Sequence, residues 1–130
     1  MAVSEDLSLD NLIAFAEADF EKELLSAELL TLIVVANAGR KLRKSELLCI
    51  LKKLAEKHEL FGWFRHATRD DIDDIVETPY LVVDVYDIVN YRISLNERGR
   101  RLYEQLSTRI EKRMFESMVS AIKEVARHDC

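Results

Sequence analysis

Apolar positions recur at helical spacing along most of the chain and switch to alternation over one short region. Leu9, Leu12, Ile13, Ala16, Phe20 and Leu24 predict a first helix, capped by Ser8 or Asp10 and running to about Leu25. Its other side carries Glu17, Asp19, Glu21 and Glu23. This pattern fits an amphipathic helix packed on the body, or an arm laid across a second copy. Ser26 is placed to cap the next helix, whose apolar side includes Leu29, Leu30, Ile33 and Val34. That segment is apolar nearly all round, which predicts a central position in the core. Gly39 suits the left-handed residue that ends such a helix. Ser45 then caps a helix with Leu47, Ile50, Leu51 and Leu54 inward and Lys52, Lys53, Glu56 and Lys57 outward.

The stretch His58 to Ala67, HELFGWFRHA, reads as an aromatic loop packed by Phe61, Trp63 and Phe64, or alternatively as an exposed patch for a protein partner. Thr68 is a good N-cap for a helix from Arg69 to about Thr78, with Ile72, Ile75 and Val76 inward. Asp70, Asp71, Asp73, Asp74 and Glu77 decorate its remaining surface, and Pro79 ends it. From Leu81 to Leu106 the order is strand, tight turn, strand, helix. Val83, Val85 and Tyr86 form the first strand, and Asp87 to Asn90 form the turn. Tyr91, Ile93 and Leu95 alternate with Arg92 and Ser94, giving one buried and one wet face. Asn96 is an N-cap for the last helix, read as continuous from about Glu97 to Ala126 and on the order of 45 Å long. Its stripe is Leu102, Leu106, Ile110, Met114, Met118, Ile122 and Val125. A helix of that length outruns a small core. Leu106, Ile110, Met114, Met118, Ile122 and Val125 are therefore expected to form a homodimer seam; the alternative is a monomer in which the helix folds back along the N-terminal helix.

The piece YRISLNERGRRLYEQL, Tyr91 to Leu106, resembles the pattern Tyr-Arg-Leu-Thr-x-x-Gly-Arg that closes the wing of small archaeal and bacterial regulators of the PadR and MarR sort. The resemblance covers roughly Ala27 to Leu106 and rests on that piece and on the order helix, helix, helix, strand, strand. It implies a mainly α fold with a small β-wing: a winged helix-turn-helix core with an N-terminal helix and a long C-terminal dimerisation helix. The expected layout is a single domain, with residues 1–25 as N-terminal helix, 26–96 as core and 97–130 as C-terminal helix. The connection between the second and third core helices is longer than the three or four residues usual for the motif. In the family the third core helix enters the major groove, and here it reads RDDIDDIVET.

Charge changes the picture. The chain has 130 residues and a net charge of −5, against the basic surplus usual for a DNA-binding domain. The charge is segregated: −7 over residues 1–39, +5 over 40–65, −6 over 66–90 and +3 over 91–130. Arg40-Lys41-Leu42-Arg43-Lys44 is the most basic stretch. The resemblance makes Arg40, Lys41, Arg43 and Lys44 phosphate contacts, puts Arg65 and Arg69 beside the recognition helix, and lets Arg92 reach the backbone from the wing. Contacts of that kind hold DNA without reading its sequence. An acidic third helix beside an aromatic loop fits a different function, docking of a basic protein partner.

The remaining chemistry is sparse. One Pro and three Gly leave no glycine-rich phosphate loop. His58, His66 and His128 lack metal-ligand spacing, and the Asp70–Asp74 cluster reads as a solvated face. No cofactor or metal is implied, and the chain is not read as an enzyme. Cys49 and Cys130 make neither a disulfide framework nor a zinc site. Cys49 is expected to be a semi-buried thiol and Cys130 a frayed one. The opening MAVSEDLSLD has no apolar signal core and no apolar run spans a bilayer, so a reducing cytoplasm is the expected location. The leading reading is a dimeric DNA-binding regulator, and the alternative is a protein-interaction winged helix.

Overall fold

The computed structural model describes residues 27–77, 81–84, 92–128 and 130. The expected N-terminal helix, the turn between the strands, and Ser26 and Pro79 lie outside these residues. The elements in chain order are α1 (Ala27–Asn37), α2 (Lys44–Lys57), a 3-10 helix (Glu59–His66), α3 (Arg69–Val76), β1 (Leu81–Asp84), β2 (Arg92–Leu95), α4 (Glu97–Arg109) and α5 (Lys112–His128). The fold is mainly helical.

α1 is the central element. Leu29 to Val35 is buried without interruption, and α1 touches every other described helix and β2. Thr31, the polar residue inside that run, donates its hydroxyl to the Ala27 carbonyl at 2.8 Å, so no donor is orphaned. After Asn37 the chain turns at Gly39, whose φ of 78° is left-handed. Leu42 then pairs with Ile93 of β2 through two backbone bonds of 3.1 and 2.7 Å. β1 and β2 are antiparallel, with Leu81 opposite Leu95 and Asp84 opposite Arg92. β2 therefore lies between β1 and the Leu42 stub.

The caps show why local segments stop and start where they do. α2 begins one residue before the expected Ser45 cap: Arg43 is the N-cap, and the Glu46 carboxylate reaches back to its amide at 2.9 Å. Thr68 caps α3 as expected; its amide donates to Asp71 at 2.8 Å and its hydroxyl accepts from the Asp71 amide at 3.4 Å. Asn96 caps α4 by accepting from the Gly99 amide at 2.7 Å. The aromatic segment is a 3-10 helix. Phe61 and Phe64 are fully buried, while Trp63 is 60% exposed and lies edge-on to Phe64. Two of the three aromatics pack as expected, and the third faces solvent.

The C-terminal helix is not continuous. α4 stops at Ile110, whose backbone is extended. Glu111 then starts α5, its carboxylate accepting from the amides of Arg113 and Met114 at 3.2 and 2.8 Å. An anion at a helix N-terminus satisfies orphan donors and complements the dipole. Just upstream, Ser107 and Thr108 donate to the carbonyls of Glu104 and Gln105, a competition that weakens the last turn of α4. The break folds the apolar stripe back onto its own chain. Leu102, Leu106, Ile110, Met118, Ile122 and Val125 are all buried in the one core, with Met114 half-buried against it. The expected seam at Leu106, Ile110, Met114, Met118, Ile122 and Val125 is thus internal. Each large side chain so buried contributes roughly 1.5–3 kcal/mol, and five of these positions are buried within the one chain.

The cysteines also depart from expectation. Cys49 and Cys130 are joined in a disulfide with a Cα separation of 6.1 Å. The cause is the same fold-back, because α5 packs against α2 and returns the chain to the middle of that helix. Thiol chemistry therefore gives no support to a reducing compartment. No helix among the described residues is long and apolar enough to cross a membrane.

Candidate nucleic-acid interface

The seven basic residues singled out in the sequence come from four segments of the chain, and the antiparallel Leu42–Ile93 bridge sets the Arg43 and Arg92 backbones side by side. Arg40 and Lys41 sit on the loop after α1. Arg40 is tied down: its Nη1 donates to the Ala126 carbonyl at 3.0 Å, and its Nη2 meets Glu46 at 3.2 Å. It bridges α2 to the end of α5, where unpaired carbonyls favour a cation. Partial burial pushes the Glu46 carboxyl up, but the Arg43 amide, the Arg40 hydrogen bond and the charges of Arg40 and Arg43 outweigh it. The net effect holds Glu46 below the usual carboxylate range.

Arg43 is exposed at the start of α2. Lys44, beside it, is paired with Asp73 of α3 at 2.5 Å. An acid of the third core helix thus neutralises a residue expected to meet phosphate. Arg65 and Arg69 are exposed, at the end of the 3-10 helix and the start of α3. Arg92 is partly exposed, and its Nη1 is buried with no hydrogen-bond partner among the described residues.

The acids of α3 divide by role. Asp71 serves the N-cap and Asp73 holds Lys44, leaving Asp70 and Asp74 exposed. A helix presenting two free carboxylates repels phosphate along the face that would read a groove.

The fold assembles a different basic surface. A shallow cleft of about 470 Å³ lies between the α1–α2 loop and the start of α4, lined by Arg40, Lys41, Ser94, Asn96 and Arg100 together with three apolar residues. A neighbouring cleft of about 340 Å³ is bounded by the end of α1, Arg40, and Lys123 and Arg127 of α5. Arg40 belongs to both, so five cations surround one corner. Among the described residues neither lining contains an acidic side chain. Three of the five, Arg100, Lys123 and Arg127, stand outside the expected set. All three are exposed. Their charge was visible in the positive balance of residues 91–130, but their place beside Arg40 follows only from the docking of α4 and α5.

The corner is held from beneath. Asn37 donates to the Ile33 carbonyl and to the Tyr103 hydroxyl, both at 2.9 Å, fixing the end of α1 against α4. Tyr103 packs on Phe115 with ring centroids 6.0 Å apart, linking α4 to α5. These contacts hold the three helices whose ends carry the cations. No known family model, curated protein or solved structure matches this chain.

Proposed function

We propose that this protein is a winged-helix module that binds duplex DNA through backbone phosphates at the Arg40 corner, without reading sequence. The order α1, α2, α3, β1, β2 supports the winged-helix part, and so does the caps' agreement with the local pattern. The observation that carries the DNA reading is the corner itself: Arg40, Lys41, Arg100, Lys123 and Arg127 around two adjoining clefts with no acid among the described residues of their linings. Phosphate contacts supply affinity and position, whereas sequence is read at base edges. Asp70 and Asp74 on α3 argue against base reading by that helix. The reading requires no dimer seam along α4 and α5, whose stripe is spent in the core.

Five phosphate contacts would give a slope of log affinity against log salt of about −4.5, at ~0.9 per contact. The test is binding to random-sequence duplex across a salt series, on protein of known mass in solution. Changing Arg100, Lys123 and Arg127 to Ala should make the slope shallower by roughly 2.7. Absence of binding at low salt refutes the reading, because even sequence-specific proteins show that background.

One observation favours a second reading, a protein-binding module. Trp63 is 60% exposed on the 3-10 helix, and Asp70 and Asp74 are exposed on α3, the next helix in the chain. An exposed aromatic and an acidic helix suit a basic peptide. Trp63→Ala would abolish that interaction and leave duplex binding unchanged.

A further inference from the structure

We propose that the Cys49–Cys130 disulfide is a redox clasp that sets the strength of the Arg40 corner. The inference rests on the DNA-backbone reading above and adds its regulation. Two of the five cations, Lys123 and Arg127, lie on the last turns of α5. Val125 and Ala126 are packed in the core, and among the described residues two bonds join that end to other elements, the Arg40 hydrogen bond to the Ala126 carbonyl and the disulfide to the middle of α2, while the Cys130 amide bonds the Val125 carbonyl at 3.2 Å within the end itself. Of these the disulfide alone is covalent, and it spans 81 residues of sequence. The Arg40 tie is also the one a phosphate competes for, because the same guanidinium lines both clefts. When an anion draws Arg40 away from Ala126, the disulfide is the covalent tie that remains beside the core packing of Val125 and Ala126.

Both cysteines are partly exposed, so a dithiol can reach them. One dithiol thiolate attacks a cysteine sulfur, forming a mixed disulfide and expelling the other cysteine as thiolate, which takes up a proton. The second thiol of the reagent then closes its own ring and releases the first cysteine. Two electrons pass from dithiol to protein, leaving a cyclic disulfide and two cysteine thiols. The helix end then frays from the last turn, where four carbonyls lack helical partners, and Lys123 and Arg127 no longer sit beside Arg40.

The experiment compares the oxidised full chain with the same chain reduced by dithiothreitol, in binding to random duplex across a salt series. Reduction should make the salt slope shallower by about 1.8, two contacts at ~0.9 each. The oxidised double variant Lys123→Ala, Arg127→Ala should reproduce that slope with the disulfide intact. Steady-state heteronuclear NOEs supply a readout free of DNA, and should fall on reduction for residues 123–128 alone. Equal slopes in the two redox states overturn the clasp while leaving the DNA reading standing. Unchanged NOEs at the end of α5 overturn it as well, as does loss of signal dispersion throughout, which would make the disulfide a staple of the whole fold. Absence of duplex binding in both states removes the DNA reading and the clasp with it.

Discussion

Ile122 decides whether the C-terminal stripe is core or interface. It is fully buried on α5, in one cluster with Met118, Val125 and residues of α1 and α2. Ile122→Ala removes three carbon atoms from a packed interior. The cost has a transfer part and a cavity part, and truncations of this kind cost roughly 2–5 kcal/mol depending on how far the site collapses. The site is set between helices α1, α2 and α5, and the disulfide ties α2 to the residue that follows α5 by two positions. Such a cavity collapses poorly, which places the expected loss at about 3–4 kcal/mol within that range. At a urea m-value of about 1.5 kcal/mol/M, the midpoint falls by roughly 2 M. The assay is equilibrium urea unfolding of the oxidised protein and the variant, each at two concentrations a hundredfold apart. An internal seam gives midpoints that do not depend on concentration, for both proteins. A loss below about 1 kcal/mol, or a midpoint that rises with concentration and loses that dependence in Ile122→Ala, refutes the reasoning and returns the stripe to an interface.

Other outcomes follow from the same structure. Reduction opens the loop that the disulfide closes in the unfolded chain; for a separation of 81 residues the chain-entropy relation gives about 4.5 kcal/mol of lost stability, read as the difference in urea unfolding free energy between the two redox states. Glu46 has a folded-state carboxyl held below its ordinary value, so the stability it contributes is complete above the unfolded value of about 4.3 and is lost as pH falls through the lower folded value. A carboxyl NMR titration should therefore find Glu46 below ~4.3, and a midpoint at or above that value contradicts the Arg40–Glu46–Arg43 geometry. Gly39→Ala places a Cβ at a φ of 78° where no neighbouring atom obstructs it, so backbone strain alone should cost about 1–2 kcal/mol of unfolding free energy. No loss would mean that the turn after α1 relaxes without penalty.

Much of the local organisation was written in short stretches of sequence. Thr68 and Asn96 cap their helices because a side-chain oxygen bonds an amide three residues on, a decision taken within one turn of chain. Gly39 ends α1 for the same local reason, the absence of a Cβ. The all-round apolar character of α1 foretold its central place, and Ile93 pointed inward as its alternation required. The break at Ile110–Glu111 was not legible, because no Gly or Pro marks it and the apolar spacing runs through it. It is stabilised by a carboxylate cap that competes with helix continuation only once both halves of the stripe have a shared core to fill. That single tertiary choice made an expected dimer seam internal. It also brought Cys130 to Cys49 across 81 residues, and set Lys123 and Arg127 beside Arg40. Caps, turns and buried faces depend on neighbours within a few residues, and the sequence by itself determined them. The disulfide and the basic corner depend on which distant helices pack together, and only the tertiary structure decided them.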